Sequence, residues 1–138
     1  MALEEMAKRR SENRLAYYKP YAKQTEFHTA GADPAVRERL LVAGNQLGKT
    51  VAGSFEAAMH LTGIYPKDWT GARFDGTTTA WAASETSQGT RDTVQRLLLG
   101  PVGSWGTGSI PAKCIIEIKR AAHGVADAVE TILVRHVT

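Results

Sequence analysis

Ala43-Gly44-Asn45-Gln46-Leu47-Gly48-Lys49-Thr50 is the stretch on which the reading of the fold turns. It follows the pattern G-x-x-x-x-G-K-[ST], with Ala43 in place of the first glycine. A glycine-rich turn of this kind aims its backbone N–H groups at phosphate oxygens. The helix that starts behind it adds unpaired donors and a positive dipole end. Gly48 lets the backbone pass close to a phosphate, Lys49 offers an ammonium, and the Thr50 hydroxyl is placed for Mg²⁺. Ala43 needs an ordinary backbone conformation but removes no N–H donor. A pattern this relaxed arises by chance in about one chain in a hundred of this length. The flanks supply the context it requires.

Before the loop, residues 39–43 (Arg-Leu-Leu-Val-Ala) form a short apolar run bounded by charge and Gly44, which reads as a buried strand. Behind it, Val51, Ala52, Phe55, Ala58, Met59 and Thr62 fall near helical spacing, and Gly63 stands where a helix-ending glycine belongs. Residues 63–76 hold Gly63, Pro66, Gly71 and Gly76 and read as a long loop. Residues 77–83 (Thr-Thr-Thr-Ala-Trp-Ala-Ala) are rich in strand formers. Ser84, Thr86 and Ser87 are candidate caps for a helix that Gly100-Pro101 stops, with Val94, Leu97 and Leu98 facing the sheet. A mobile glycine-rich loop over 100–108 and two further strands, over 114–118 and 131–137, complete the order. Strand, helix, strand, helix, strand predicts a parallel α/β sheet.

The remainder bounds the function. The chain has 138 residues, 43% hydrophobic and 22% charged, which suits one domain and not a disordered chain. No apolar run reaches the roughly 18 residues of a membrane span, and the N-terminus lacks a secretory h-region. Cys114 is the single cysteine, so no intrachain disulfide forms, and His28, His60, His123 and His136 lack metal-ligand spacing. The net charge of +3 permits an anionic partner without specifying one. Residues 1–23 are basic and read as a solvated helix or arm, or else as an arm that contacts DNA or a partner; Pro20 breaks any helix and the Gly31-Ala32-Asp33-Pro34 loop follows. Upstream of the phosphate loop, Tyr21, Gln24 and Phe27 interleave aromatics with an amide. Gln24 can both donate to and accept from adenine, so it is a candidate for reading the base.

Gln24-Thr25-Glu26-Phe27-His28, followed by the run from Leu40 through Thr50, resembles the start of the ATPase domain of tailed-phage terminase large subunits. Trp81-Ala82-Ala83-Ser84 with Thr90-Arg91-Asp92-Thr93-Val94-Gln95-Arg96-Leu97-Leu98 is similar to that family's second strand and following helix. The resemblance implies a P-loop NTPase (RecA-like/ASCE) α/β fold, with 24–138 as its N-terminal portion, incomplete on the C-terminal side. It implies ATP and Mg²⁺ as cofactors, and the work of driving double-stranded DNA into a procapsid. It also implies a portal protein and a small terminase subunit as partners, a homo-oligomeric ring for the full-length protein, and a host-cytoplasmic location.

Carried over by resemblance, Gln24 reads adenine, and Gly44, Asn45, Gln46, Leu47, Gly48, Lys49 and Thr50 form the phosphate loop. Lys49 bears the phosphate charge and Thr50 is the Mg²⁺ ligand. Some members carry an arginine where Asn45 stands, so an arginine finger must come from elsewhere; Arg91 and Arg96 are the candidates. No apolar strand ending in Asp-Glu is found, and Ile115-Ile116-Glu117 is too short to serve. The chain therefore reads as a fragment ending before Walker B and the nuclease, without motor-like hydrolysis of its own. Two other readings remain open: the first lobe of a helicase-like ATPase, or a module that binds nucleotide without hydrolysing it.

Overall fold

The computed structural model describes residues 1–45 and 48–137. Among the described residues, five α-helical segments, two 3₁₀ turns, one π-helical turn and one β-hairpin make up the regular structure. Helix α1 (Ala2–Glu12) buries no side chain, and Leu3 and Met6 lie exposed along it. A 3₁₀ turn, Arg14–Tyr17, then seats Leu15 in the core, with Tyr18 behind it. Helix α2 (Ala22–Ala30) follows Pro20 and gives way at Gly31 to the turn through Pro34.

Helix α3 (Lys49–Thr62) is the central element. Both of its flanking residues are glycines in the left-handed region, Gly48 at φ 79° and Gly63 at φ 72°. The Gly63 N–H closes the last turn on the Met59 carbonyl. Ala52, Ala58 and Met59 are fully buried, and the core gathers around them from Leu15, Tyr18, Trp69, Leu98, Ile110 and Cys114.

The next helical stretch starts at α4 (Ser87–Thr90), where the Thr86 hydroxyl accepts from the Gly89 N–H. It widens to a π-helical turn over Arg91–Gln95 and tightens again as α5 (Arg96–Leu99). Gly100, at φ 98°, ends it. The glycine-rich segment after Pro101 folds back on this end: Gly106 and Thr107 donate to the Leu99 carbonyl, Ser109 to Leu97 and Ile110 to Leu98. Leu98 and Leu99 thus pack toward α3 rather than against a sheet.

Strands β1 (Ile115–Arg120) and β2 (Val129–Val134) pair antiparallel, Ile118 opposite Ile132. This hairpin is the only sheet among the described residues. Segments 39–43 and 77–83, expected as parallel strands, run without a ladder partner. A strand forms only where a neighbour takes up its N–H and C=O groups. Without one, Leu40, Val42 and Trp81 stand 87%, 79% and 96% exposed. No helix among the described residues is long and apolar enough to cross a membrane.

One buried carboxylate ties the elements together. Glu56 on α3 accepts from His28 Nδ1 of α2 at 2.5 Å, from Arg39 Nη2 at 2.6 Å and from His60 Nε2 at 3.2 Å. Arg39 also donates to the Phe27 carbonyl and lies over the Phe27 ring at 4.5 Å. The other His28 nitrogen, Nε2, accepts from the Tyr18 hydroxyl at 2.9 Å, so one tautomer satisfies both partners. Burial by itself would raise the Glu56 carboxyl. The hydrogen bonds from His28, His60 and Arg39, with the Arg39 charge, outweigh it and hold the group far below the ordinary carboxylate range. Burial, aided by the Glu56 charge, pushes the Tyr18 hydroxyl up to about 12.

A carboxyl with a depressed folded-state value contributes stability that is complete above its ordinary value of 4.5 and is lost as pH falls toward the folded value. Glu56→Ala is expected to cost about 3–5 kcal/mol in chemical denaturation, because it strands Arg39 and two imidazoles. In melts of wild type and Glu56→Gln below pH 4.5, the wild type is expected to lose melting temperature the more steeply. Equal pH slopes would contradict this role.

Candidate functional site

Gln24 and Gly48, 24 residues apart, meet at one end of α3. The Gln24 side-chain nitrogen donates to the Gly48 carbonyl at 2.9 Å, and its oxygen accepts from the Tyr21 N–H at 2.8 Å. The second contact also closes the first turn of α2. One amide N–H and one oxygen lone pair of Gln24 remain for another partner.

A cleft of about 530 Å³ opens beside this contact, lined by Tyr18, Tyr21, Gln24, Lys49, Thr50 and Phe55 among others. The Tyr18 ring stacks on Phe55 with centroids 4.4 Å apart and planes 12° from parallel. Its hydroxyl is the one held by His28, so the cleft wall is coupled directly to the Glu56 network. The Lys49 ammonium donates to the Ala43 carbonyl, closing the loop on itself across six residues. Thr50 lies exposed on the first turn of α3.

Gly48 is glycine for two independent reasons. Its φ of 79° disfavours any side chain, and a Cβ there would lie 2.6 Å from the Gln24 side-chain nitrogen. The left-handed turn aims α3 back from the loop while leaving room for the amide.

The residues singled out from sequence fall into three groups. Gln24, Gly48, Lys49 and Thr50 converge on the cleft. Gly44 and Asn45 are exposed on the loop before it, and Gln46 and Leu47 lie outside the described residues. Arg91 and Arg96 separate in environment. Arg91 Nε donates to Asp92 at 2.7 Å, and its Nη1 donates to the Ala126 carbonyl at 3.0 Å, so it braces the hairpin turn. Gln95 braces the same turn, donating to the Asp127 carbonyl and accepting from the Val129 N–H. Arg96 makes no such bond among the described residues and lines a second cavity that also reaches Thr50.

Tyr18, His28, Arg39 and Glu56 were not marked by sequence as parts of the site. Glu56 pairs with residues 28 and 17 positions away, separations that no local pattern carries. The one available signal was a charged residue inside the apolar stripe of α3, one position after Phe55. No group of three His, Cys, Asp or Glu among the described residues is arranged to hold a metal ion.

The chemistry of the donor set fits a magnesium nucleotide. An amide with free donor and acceptor capacity, an aromatic pair, an ammonium and an exposed hydroxyl at a helix start share one cleft.

Comparison with known proteins gives two findings. The family model described as terminase large subunit, T4likevirus-type, N-terminal, matches residues 40–128. The large terminase subunit of Salmonella phage P22 is 38% identical over 151 aligned residues, an alignment covering 99% of this chain and 30% of that protein. The chain thus spans about a third of the length of that relative. No solved structure matches the chain significantly.

Gly48→Ala is expected to lower stability by about 1–3 kcal/mol, from strain at the left-handed turn and from displacement of Gln24. Thermal melts of Gly48→Ala beside Gly53→Ala check this, since a Cβ at Gly53 meets nothing within 4 Å. The second substitution sits inside α3 and is expected to be neutral or stabilising.

Proposed function

The chain belongs to the terminase large-subunit family, and from that premise we propose that it carries the ATP-binding part of a motor that drives double-stranded DNA into a phage procapsid. The observation that carries this reading is the meeting of Gln24 with Gly48 and Lys49 on one cleft. A base reader and a phosphate loop are useful only at a fixed separation, and here a direct hydrogen bond sets it. Magnesium-bound ATP would supply the phosphoryl group whose transfer releases the energy for translocation.

In this reading the chain's own residues divide the work. Gln24 holds the adenine through its remaining donor and acceptor. Tyr18, stacked on Phe55 and anchored through His28, gives the cleft a rigid aromatic wall. The Lys49 ammonium, now on the Ala43 carbonyl, would instead bind a phosphate oxygen, and the Thr50 hydroxyl would be the ligand for Mg²⁺. Gly44, Asn45, Gln46 and Leu47 offer backbone N–H groups. Of the two arginines, Arg96 is the better placed to act on a phosphoryl group, because Arg91 is committed to Asp92 and the hairpin.

The P-loop NTPase fold is part of the same proposal. Segments 39–43 and 77–83 are proposed as strands of its parallel sheet, and their exposed apolar side chains and unpaired backbone support that. The proposed partners are double-stranded DNA, the portal and the small terminase subunit, with a homo-oligomeric ring as the working form of the whole protein.

Calorimetric titration with a non-hydrolysable ATP analogue and Mg²⁺ tests the site. Saturable binding is expected in the wild type, weakened at least about tenfold in Lys49→Ala, a loss of ~1.4 kcal/mol or more. Gln24→Ala is expected to erode the preference for ATP over GTP more than the affinity for triphosphate. A folded wild type that binds no nucleotide would refute the reading.

A further inference from the structure

Thr50 lines two cavities. One is the cleft shared with Gln24 and Lys49; the other, of about 500 Å³, also takes in Arg14, Thr93, Arg96 and Thr107. Arg14 comes from the 3₁₀ turn after α1 and Arg96 from the start of α5. Neither guanidinium makes a hydrogen bond or close ion pair among the described residues, although the Arg96 charge acts on Asp92. Asp92 reaches the same cavity, but its carboxylate is engaged by Arg91 Nε at 2.7 Å.

Two permanently charged guanidinium groups facing one concavity repel each other and raise its potential. An oxyanion relieves that repulsion, and the planar fork of each guanidinium matches the oxygen spacing of a phosphate. The Thr50 hydroxyl adds a neutral donor at the same space, while those of Thr93 and Thr107 donate to the Gly89 and Ser104 carbonyls. Four other arginines, Arg9, Arg39, Arg91 and Arg120, pair with carboxylates, at Glu5, Glu56, Asp92 and Asp127. The pair beside Thr50 lies at the place where the proposed nucleotide ends.

We propose that the Arg14–Arg96 cavity is a second oxyanion site, adjoining the first through Thr50, that takes inorganic phosphate. The proposal rests on the nucleotide reading of the Lys49 cleft and extends it to the product side. Phosphate released at Lys49 and Thr50 passes into a positively charged cavity on the far side of Thr50. The nucleoside diphosphate stays held by Gln24 and the loop. Arg14 thereby gives the N-terminal segment a role in the cycle, since loss of phosphate frees one of the two groups that bridge it to α5.

The test separates the two readings. The 138-residue chain is first titrated with Mg²⁺ and ADP, and the loaded chain is then titrated with inorganic phosphate, followed by ³¹P NMR line broadening. Phosphate binding is expected, weakened about tenfold or more in Arg14→Ala and in Arg96→Ala, with the ADP affinity of Arg14→Ala unchanged within about twofold. Arg96→Lys is expected to recover part of the loss, since the charge returns without the fork. Both positions are exposed, so circular dichroism is expected to show folded variants. No phosphate binding by the ADP-loaded chain would overturn the proposal, as would binding indifferent to both arginines. Displacement of phosphate by a short DNA duplex with the same arginine dependence would also overturn it, by making the cavity a backbone contact. Failure of ADP to bind would refute the nucleotide reading instead; phosphate titrated alone, with and without the two arginines, would still decide the cavity.

Discussion

The Glu56 carboxylate is the constraint on which the rest of the chain depends. It sits 4% exposed in the middle of α3, and a charge so placed is tolerated only when fully paired. Its partners come from the helix before the loop, from the segment leading into the loop, and from the next turn of its own helix. One anion therefore fixes α2, residue 39 and α3 with respect to one another. The fold lacks a wide sheet among its described residues to do that work, so a polar network does it instead. Removing any one partner leaves the others buried and unsatisfied, and such networks accordingly behave as units.

The cleft inherits its geometry from that network. Tyr18 reaches the cleft with its ring and the network with its hydroxyl, and α2 carries both His28 and Gln24. The distance between the amide of Gln24 and the loop at Gly48 follows from how α2 is pinned to α3. A residue that touches no ligand, Glu56, is thus a positioning residue for those proposed to touch one. Through Thr50 the cleft adjoins a second cavity lined by Arg14 and Arg96.

What was legible in the sequence was local. Gly48 and Gly63 announce the limits of α3 because left-handed caps want glycine, and Gly100 marks the end of α5 with a different positive-φ conformation, ψ 176°, that glycine alone takes readily. The strand propensity of 115–118 and 131–134 was visible, though their pairing as an antiparallel hairpin was not. The terminase resemblance, carried by scattered motif residues, agrees with the family match over 40–128. The Glu56 network was hidden because pairing across 28 residues leaves no periodic trace. Segments 39–43 and 77–83 carry strand propensity yet pair with no neighbour among the described residues. An apolar β-branched run states a preference for extended backbone but cannot state which neighbour will accept its hydrogen bonds. Gln24 was singled out as a candidate for reading the base, while its contacts to Tyr21 and Gly48 depend on how two distant turns meet.

Hydrogen–deuterium exchange of the chain with and without a Mg²⁺-bound ATP analogue tests the two-segment site most directly. Peptides covering 43–50 and 21–28 are expected to gain protection together, at the same nucleotide concentration, because one ligand is held by both. Protection confined to either segment, or falling elsewhere in the chain, would contradict a nucleotide site built from Gln24 and the phosphate loop.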